Sequence, residues 1–300
     1  KILITGAFGQ LGTALTEALI YKYGSEAVVA TDLNIRDEFN CETLTLDATN
    51  LEAMDKVVRN HHITQIYHLA AVLSAKGEQQ PLKTWDLNNT TFFNVLEAAR
   101  LNDVQKVFFP SSIAVFGPDA RQEHVAQDFG LNPTTVYGIS KVAGEHWARY
   151  YNAKYDMDVR CLRYPGLISY QSLPGGGTTD YAVDIFHKAI NNEEFVCYLK
   201  PDTQLPMLYM DDAIDATIRM MEASKRDKEF SELRRNFSFQ CIQADVKSPN
   251  TREKLISFMK ETIDVAFSIK FFHNTPVKIT QEMARFLSSI MTIGGIFILQ

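Results

Sequence analysis

Short apolar runs alternate with stretches of helical period through about the first two hundred residues of the chain. A parallel sheet covered by crossover helices reads this way, because its strands are buried on both faces and its helices on one. The apolar runs predict strands over 1–5, 27–31, 43–46, 65–69, 106–109, 159–163 and 195–199. Apolar positions recurring at three and four residues predict helices over 10–23, 51–60, 82–101 and 136–155. Beyond Pro165 the rhythm loosens. Pro174-Gly175-Gly176-Gly177 predicts a loop, 180–191 and 211–223 predict helices, and a charged stretch leads into strand, helix and strand at 236–240, 250–262 and 265–272. The chain reads as α/β: a doubly wound parallel sheet over 1–170, then a smaller α/β lobe over 171–300 that carries the substrate.

Composition narrows the class of partner. With 300 residues and 46% hydrophobic content the chain supports a real core, which excludes disordered, collagen-like and disulfide-scaffold readings. A formal net charge of −6 argues against nucleic-acid and anionic-membrane partners, since either needs a cationic excess. A small molecule is expected instead. The four cysteines form no Cys-x-x-Cys pair and no histidine stands at finger spacing, so no metal site and no disulfide framework is expected. The uncharged run 286–299 is shorter than the ~20 residues that span a bilayer, and Gly294 and Gly295 split it. Lys1 to Thr5 already read as a buried strand, so no targeting peptide is expected in this chain. The expected compartment is the cytoplasm, or the mitochondrial matrix if a leader upstream of Lys1 was removed.

Thr5-Gly6-Ala7-Phe8-Gly9-Gln10-Leu11-Gly12 stands between the first strand and the first helix, where glycines bind a dinucleotide in a Rossmann-type fold. Gly6 permits the tight turn, Gly9 lets backbone approach a pyrophosphate, and Gly12 lets helix and sheet pack closely. The helix at Gln10 and Leu11 aims its amides at the phosphates. Asp32, beside Leu33 at the end of the second strand, is twenty residues past Gly12, where a carboxylate accepts from both ribose hydroxyls. A 2′-phosphate there meets like charge, which favours NAD over NADP; Arg36 nearby pulls the other way. Asp47, with Ala48, either meets adenine or merely ends the third strand. Leu69-Ala70-Ala71 after the fourth strand let the nicotinamide half pass close to backbone, or simply end that strand.

Tyr137-Gly138-Ile139-Ser140-Lys141 puts a phenol and an ammonium on one helical face, one turn apart. A free phenol titrates near ~10, and lowering it by about 3 units takes roughly 4 kcal/mol of preference for the charged form. An ammonium together with a positively charged nicotinamide supplies interaction of that size. Ser112, in the run after the fifth strand, offers a hydroxyl to the oxygen that Tyr137 deprotonates.

These features together resemble the extended short-chain dehydrogenases, the superfamily of sugar-nucleotide epimerases and dehydratases. Within it, Leu73 to Glu78, Phe109 to Pro118, Asn132 to Lys141, Arg163 to Gly166, Gly175 to Val183 and Leu205 to Asp212 are similar to the short-chain L-threonine 3-dehydrogenases, over about residues 1–224. The resemblance implies oxidation of the β-hydroxyl of L-threonine with NAD, through Ser112, Tyr137 and Lys141. It adds Tyr164 and Pro165 to the cofactor contacts and lines the substrate pocket with Ser74, Ser112, Tyr137, Thr178 and Thr179. Asp180 either meets the substrate ammonium or caps a helix. The resemblance also implies a homodimer paired through the helices of 82–101 and 136–155. From about Lys225 the likeness fades: Asp245 to Asn250 stand in place of a Ser-Phe-Thr-Pro-like turn, and no tryptophan follows Trp147. Two other readings stand beside it. One is a nucleotide-sugar epimerase or dehydratase, whose diphosphate calls for arginines such as Arg219, Arg234 and Arg235; the other is an NAD-binding protein without turnover.

Overall fold

β1 (Ile2–Thr5), β2 (Val28–Asp32), β3 (Glu42–Thr45), β4 (Gln65–His68), β5 (Lys106–Ser112) and β6 (Asp158–Tyr164) form one parallel sheet in the order β3-β2-β1-β4-β5-β6. The computed structural model describes residues 1–223 apart from 121–124, 126, 128, 170–174, 176, 178, 198 and 200–204. Strand order reverses between β1 and β4, which opens a crevice outside their carboxyl ends. The crossovers are α1 (Gln10–Tyr23), α2 (Leu51–Asn60), the short α3 (Ser74–Gly77) with α4 (Pro81–Leu101), and α5 (Val136–Tyr155). After β6 come β7 (Gly166–Ile168), α6 (Tyr181–Ile190), β8 (Met207–Tyr209) and α7 (Met210–Glu222).

Alternation along the strands builds two cores. Ile4, Ala30, Tyr67, Phe108 and Leu162 face Leu15 and Leu19 of α1 and Ile214 and Met221 of α7. Their neighbours Leu3, Val29, Ile66, Phe109 and Val159 face Met54 of α2, Phe92 and Leu96 of α4 and Ala148 of α5. Each fully buried side chain of this size contributes roughly 1.5–3 kcal/mol, and both faces are covered, so the sheet has no solvated side. Local signals set the helix ends. Asn50 caps α2 by accepting from Ala53 N–H at 3.0 Å, Pro81 opens α4, and Thr135 caps α5 by accepting from Gly138 N–H at 3.0 Å.

Two cations at the bottom of the sheet hold the far end of α7. Lys106 donates to Met221 O at 2.6 Å, and Arg160, ion-paired with Asp158, donates to Met220 O and to Ala223 O at 2.7 Å. The last carbonyls of a helix have no partner within it, so these contacts fasten α7 to β5 and β6.

The strand expected at 195–199 is not formed. Residues 195–197 belong to no regular element, and Val196 is 69% exposed. β7 pairs instead with β8, in the register Gly166↔Met207 to Ile168↔Tyr209. Ser112 is the last residue of β5 rather than beyond it, because pairing with β6 runs on through Pro110↔Leu162 to Ser112↔Tyr164. The elements expected at 236–240, 250–262 and 265–272 and the uncharged run 286–299 lie outside the described residues. Among the described residues no helix is long and apolar enough to cross a membrane, and no group of three or more His, Cys, Asp or Glu side chains is placed to hold a metal.

Candidate active site

The turn after β1 is built on two glycines. Gly6 has φ +72°, and a Cβ there would stand 2.7 Å from Ala70 N, so the turn presses on the chain leaving β4. A Cβ on Gly12 would stand 2.2 Å from Gly6 O, closer than any side chain permits. Gly9, between them, meets only Gly6 O at 3.4 Å and leaves its outer side open. It is also the N-cap of α1, with no capping side chain and no acid in the first turn. The positive end of α1 therefore faces the crevice unblocked, unlike that of α2, which Asn50 covers. Gln10 Nε2 is buried there with no hydrogen-bond partner, while Leu11 packs on the core. An orphaned donor beside free helix amides fits the oxygens of a dinucleotide pyrophosphate.

The Asp32 carboxylate is fixed by two amides: Oδ2 accepts from Phe8 N–H at 3.2 Å and Oδ1 from Leu33 N–H at 2.7 Å. Arg36 is committed elsewhere. It donates to Phe8 O at 2.6 Å, pairs with Glu38 at 3.3 Å and lies over the Phe8 ring, which stacks on Phe39. The anion alone thus points at the ribose position. Asp32→Ala is expected to cut the preference for NAD over NADP by about tenfold to a hundredfold, the worth of one to two hydrogen bonds to a charged acceptor. The ratio of kcat/KM for the two cofactors measures it, and an unchanged ratio rejects this role.

Other expected cofactor residues sort by what holds them. Asp47 Oδ1 accepts from Thr49 N–H at 2.9 Å and from its hydroxyl at 2.7 Å, a turn of its own making, while Ala48 is buried with its carbonyl on Asn94. Leu69 prolongs the β1–β4 pairing through its N–H to Thr5 O at 2.9 Å. Past Ala70 and Ala71 there is no neighbouring strand, and the amide of Asn88 takes its place: Oδ1 accepts from Val72 N–H at 2.8 Å and Nδ2 donates to Val72 O at 3.1 Å. The Tyr164 phenol turns into the core to meet the Thr217 hydroxyl, so its side chain is not offered to a cofactor.

α5 stands with its first turn against the turn Ile113–Val115 that follows Ser112. There the Ser112 hydroxyl, whose oxygen accepts from Ala114 N–H at 3.2 Å, lies near the Tyr137 phenol and favours its ionised form. Lys141 Nζ lies 5.3 Å from the centroid of the Tyr137 ring and 4.6 Å from that of Phe109, and the side chain is 3% exposed. Phenol and ammonium share one side of the helix, as the spacing predicts. Burial pushes the phenol up to about 12, against the opposing influence of the Ser112 hydroxyl, and the same burial pulls the ammonium down to about 8. Each charge is disfavoured alone; the two together compensate each other.

Four groups around this pair carry less obvious sequence signals. His68 is buried between Thr5 Oγ1, 2.8 Å from Nδ1, and Thr91 Oγ1, 3.4 Å from Nε2; burial and the nearby Lys141 hold it down to about 3, so it stays neutral. With Asn88, Ser140 and Lys141 it encloses a cavity of about 10 Å³, room for about one water. Glu78 accepts from Val136 N–H at 2.8 Å, which ties the α3 turn to the head of α5. The usable signal was Asn88-Asn89, a pair of amides among the buried positions of α4.

Of the expected substrate residues, Ser74 opens α3 and is half-buried. A Cβ on Gly175 would lie 3.1 Å from Leu73, so the glycine loop meets the residue before Ser74. Thr179 packs over Gly166, and Asp180 Oδ2 accepts from Gly177 N–H at 2.7 Å, closing the loop on itself. Thr178 lies outside the described residues.

With this geometry in view, comparison with known proteins is decisive. The sequence matches the NAD dependent epimerase/dehydratase family over residues 2–232. The chain belongs to that family. An uncharacterized epimerase/dehydratase of Staphylococcus haemolyticus is 45% identical over 227 residues, 74% of this chain and 71% of that protein. A partial consensus L-threonine 3-dehydrogenase is 52% identical with a TM-score of 0.73, over 75% of this chain and 73% of that one. A GalE-like L-threonine dehydrogenase from Cupriavidus necator, in its holo form, is 51% identical with a TM-score of 0.72, again over 75% and 73%. The cofactor of this family is NAD. As a member of the epimerase/dehydratase family, the protein is an NAD-dependent enzyme of oxidoreductase type.

Proposed function

We propose that the protein oxidises the β-hydroxyl of L-threonine, giving 2-amino-3-oxobutyrate. The observation that carries this reading is the buried Lys141 ammonium against the Tyr137 ring, with the Ser112 hydroxyl beside the same phenol. Bound NAD supplies the hydride acceptor. Tyr137, as phenolate, takes the hydroxyl proton while the Cβ–H pair departs as hydride and the C–O bond becomes a carbonyl. The Ser112 hydroxyl donates to the substrate oxygen as negative charge develops on it. Lys141 offsets the phenolate charge where water does not.

Identity of 51–52% to two threonine dehydrogenases supports the choice of substrate. In this reading residues 171–300 complete the substrate side, with Ser74, Thr178 and Thr179 as hydroxyl partners for the amino acid. A homodimer goes with it: α4 and α5 expose Trp85, Trp147, Tyr150 and Tyr155, a band of aromatic surface suited to pairing two copies. The nucleotide-sugar alternative is less well served. Of the arginines described beyond residue 150, Arg160 and Arg163 are buried in pairs with Asp158 and Glu145 and Arg219 lies beside Asp215 on an exposed helix face, while Arg234 and Arg235 lie outside the described residues.

Purified protein mixed with NAD and L-threonine is expected to generate NADH absorbance, with no heat of binding from UDP-sugars in titration calorimetry. No reaction with any 3-hydroxy amino acid would falsify the reading.

A further inference from the structure

Glu145 and Arg163 form a buried ion pair that the chemistry above leaves unused. Glu145 stands one turn beyond Lys141 on α5, and Arg163 is next to last in β6; their side chains are 11% and 12% exposed. The contact is a two-pronged fork. Arg163 Nε donates to Oε1 at 2.8 Å and Nη2 to Oε2 at 2.7 Å. Glu145 Oε1 also accepts from the Ser111 hydroxyl at 2.5 Å. On its other side Arg163 Nη1 donates to Gln127 O at 3.0 Å and Gln127 Oε1 at 3.2 Å, and the guanidinium lies over the Phe116 ring.

A pair this buried adds little net stability, because removing both ions from water offsets their attraction. Its effect is on geometry, since a planar fork accepts one orientation of its partner. One anchor of that geometry is Ser111, the residue before Ser112 on β5. The other is the helix turn after Lys141. We propose that Glu145 and Arg163 are a positioning pair that sets the separation between Ser112 on β5 and Tyr137 and Lys141 on α5. The inference rests on the oxidation reading, in which Ser112 and Tyr137 address one oxygen; a displacement of about 1 Å there costs on the order of a hundredfold in rate.

Glu145→Gln keeps the shape and removes the charge, and Arg163→Lys keeps the charge and removes the fork. Either is expected to lower kcat on threonine about tenfold while KM stays within about twofold. In a Ser112→Ala background the same change is expected to cost less than about twofold more, because the group being positioned is gone. Equal losses in both backgrounds overturn the proposal, since a general packing defect adds independently. A second readout needs no substrate turnover. With NAD bound, the ultraviolet difference between the protein and its Tyr137→Phe counterpart reports the titration of Tyr137 alone. Arg163→Lys, which leaves the net charge unchanged, is expected to move that midpoint to higher pH, and an unmoved midpoint refutes the inference whether or not threonine is the substrate. If Glu145→Gln fails to fold, Arg163→Lys carries both measurements.

Discussion

Tyr137→Phe is expected to lower threonine oxidation by about a thousandfold, within the range for a lost general base, while NAD affinity changes by less than about threefold. The asymmetry follows from where the oxygen lies. The phenol lies beside Ser112, so removing one oxygen takes away the proton acceptor and leaves the ring in place against Lys141. Initial rates from NADH absorbance and NAD titration by protein fluorescence measure the two effects. A variant keeping more than about a tenth of the rate would show that another group accepts the proton.

The second large effect sets activity against stability. Lys141→Met is expected to abolish most turnover and yet to raise the unfolding free energy at neutral pH by about 2–3 kcal/mol. Burial holds the folded ammonium at about 8, below its ordinary 10.5, so the charged form is the costly one in the folded protein. Below about pH 8 lysine is protonated in both states and the folded state bears the full cost. Between there and about 10.5 the unfolded chain binds more protons, so stability rises with pH through that window. Methionine has nearly the same length and no charge to desolvate, at the loss of the attraction to the Phe109 and Tyr137 rings. Denaturant midpoints at pH 7 and at pH ~9.5 should therefore converge for the two proteins as pH rises. A variant less stable than the parent at pH 7, or a gap that widens with pH, would reject the account.

Much of the sheet and of the cofactor cradle was readable from local pattern. α1, α2 and α5 fall over 10–23, 51–60 and 136–155 as their periodicity predicts, because each has a cap or glycine at its start and a continuous apolar stripe. The glycine turn and Asp32 were readable for the same reason: a backbone that needs small residues and an anion at fixed spacing leaves a local imprint. What was not readable depends on contacts between distant segments. β7 and β8 have three residues each, too few to display a period, and their pairing spans some forty residues of chain. Arg163 carries no sign in sequence of its partner, and only the fold brings Glu145 to it. Asp47 offered two roles of similar weight in sequence, and in the structure its side chain is occupied by Thr49. His68 gave no sign of its neutrality, since that arises from the Lys141 ammonium and the packed interior around it.

The clasp of Asn88 on Val72 bears on how the protein receives its cofactor. Irregular backbone at the rim of a sheet ordinarily waits for a ligand to satisfy it, and ordering it then subtracts from affinity. Here a helix side chain has already supplied both bonds, so that rim of the cleft is preorganised before anything arrives.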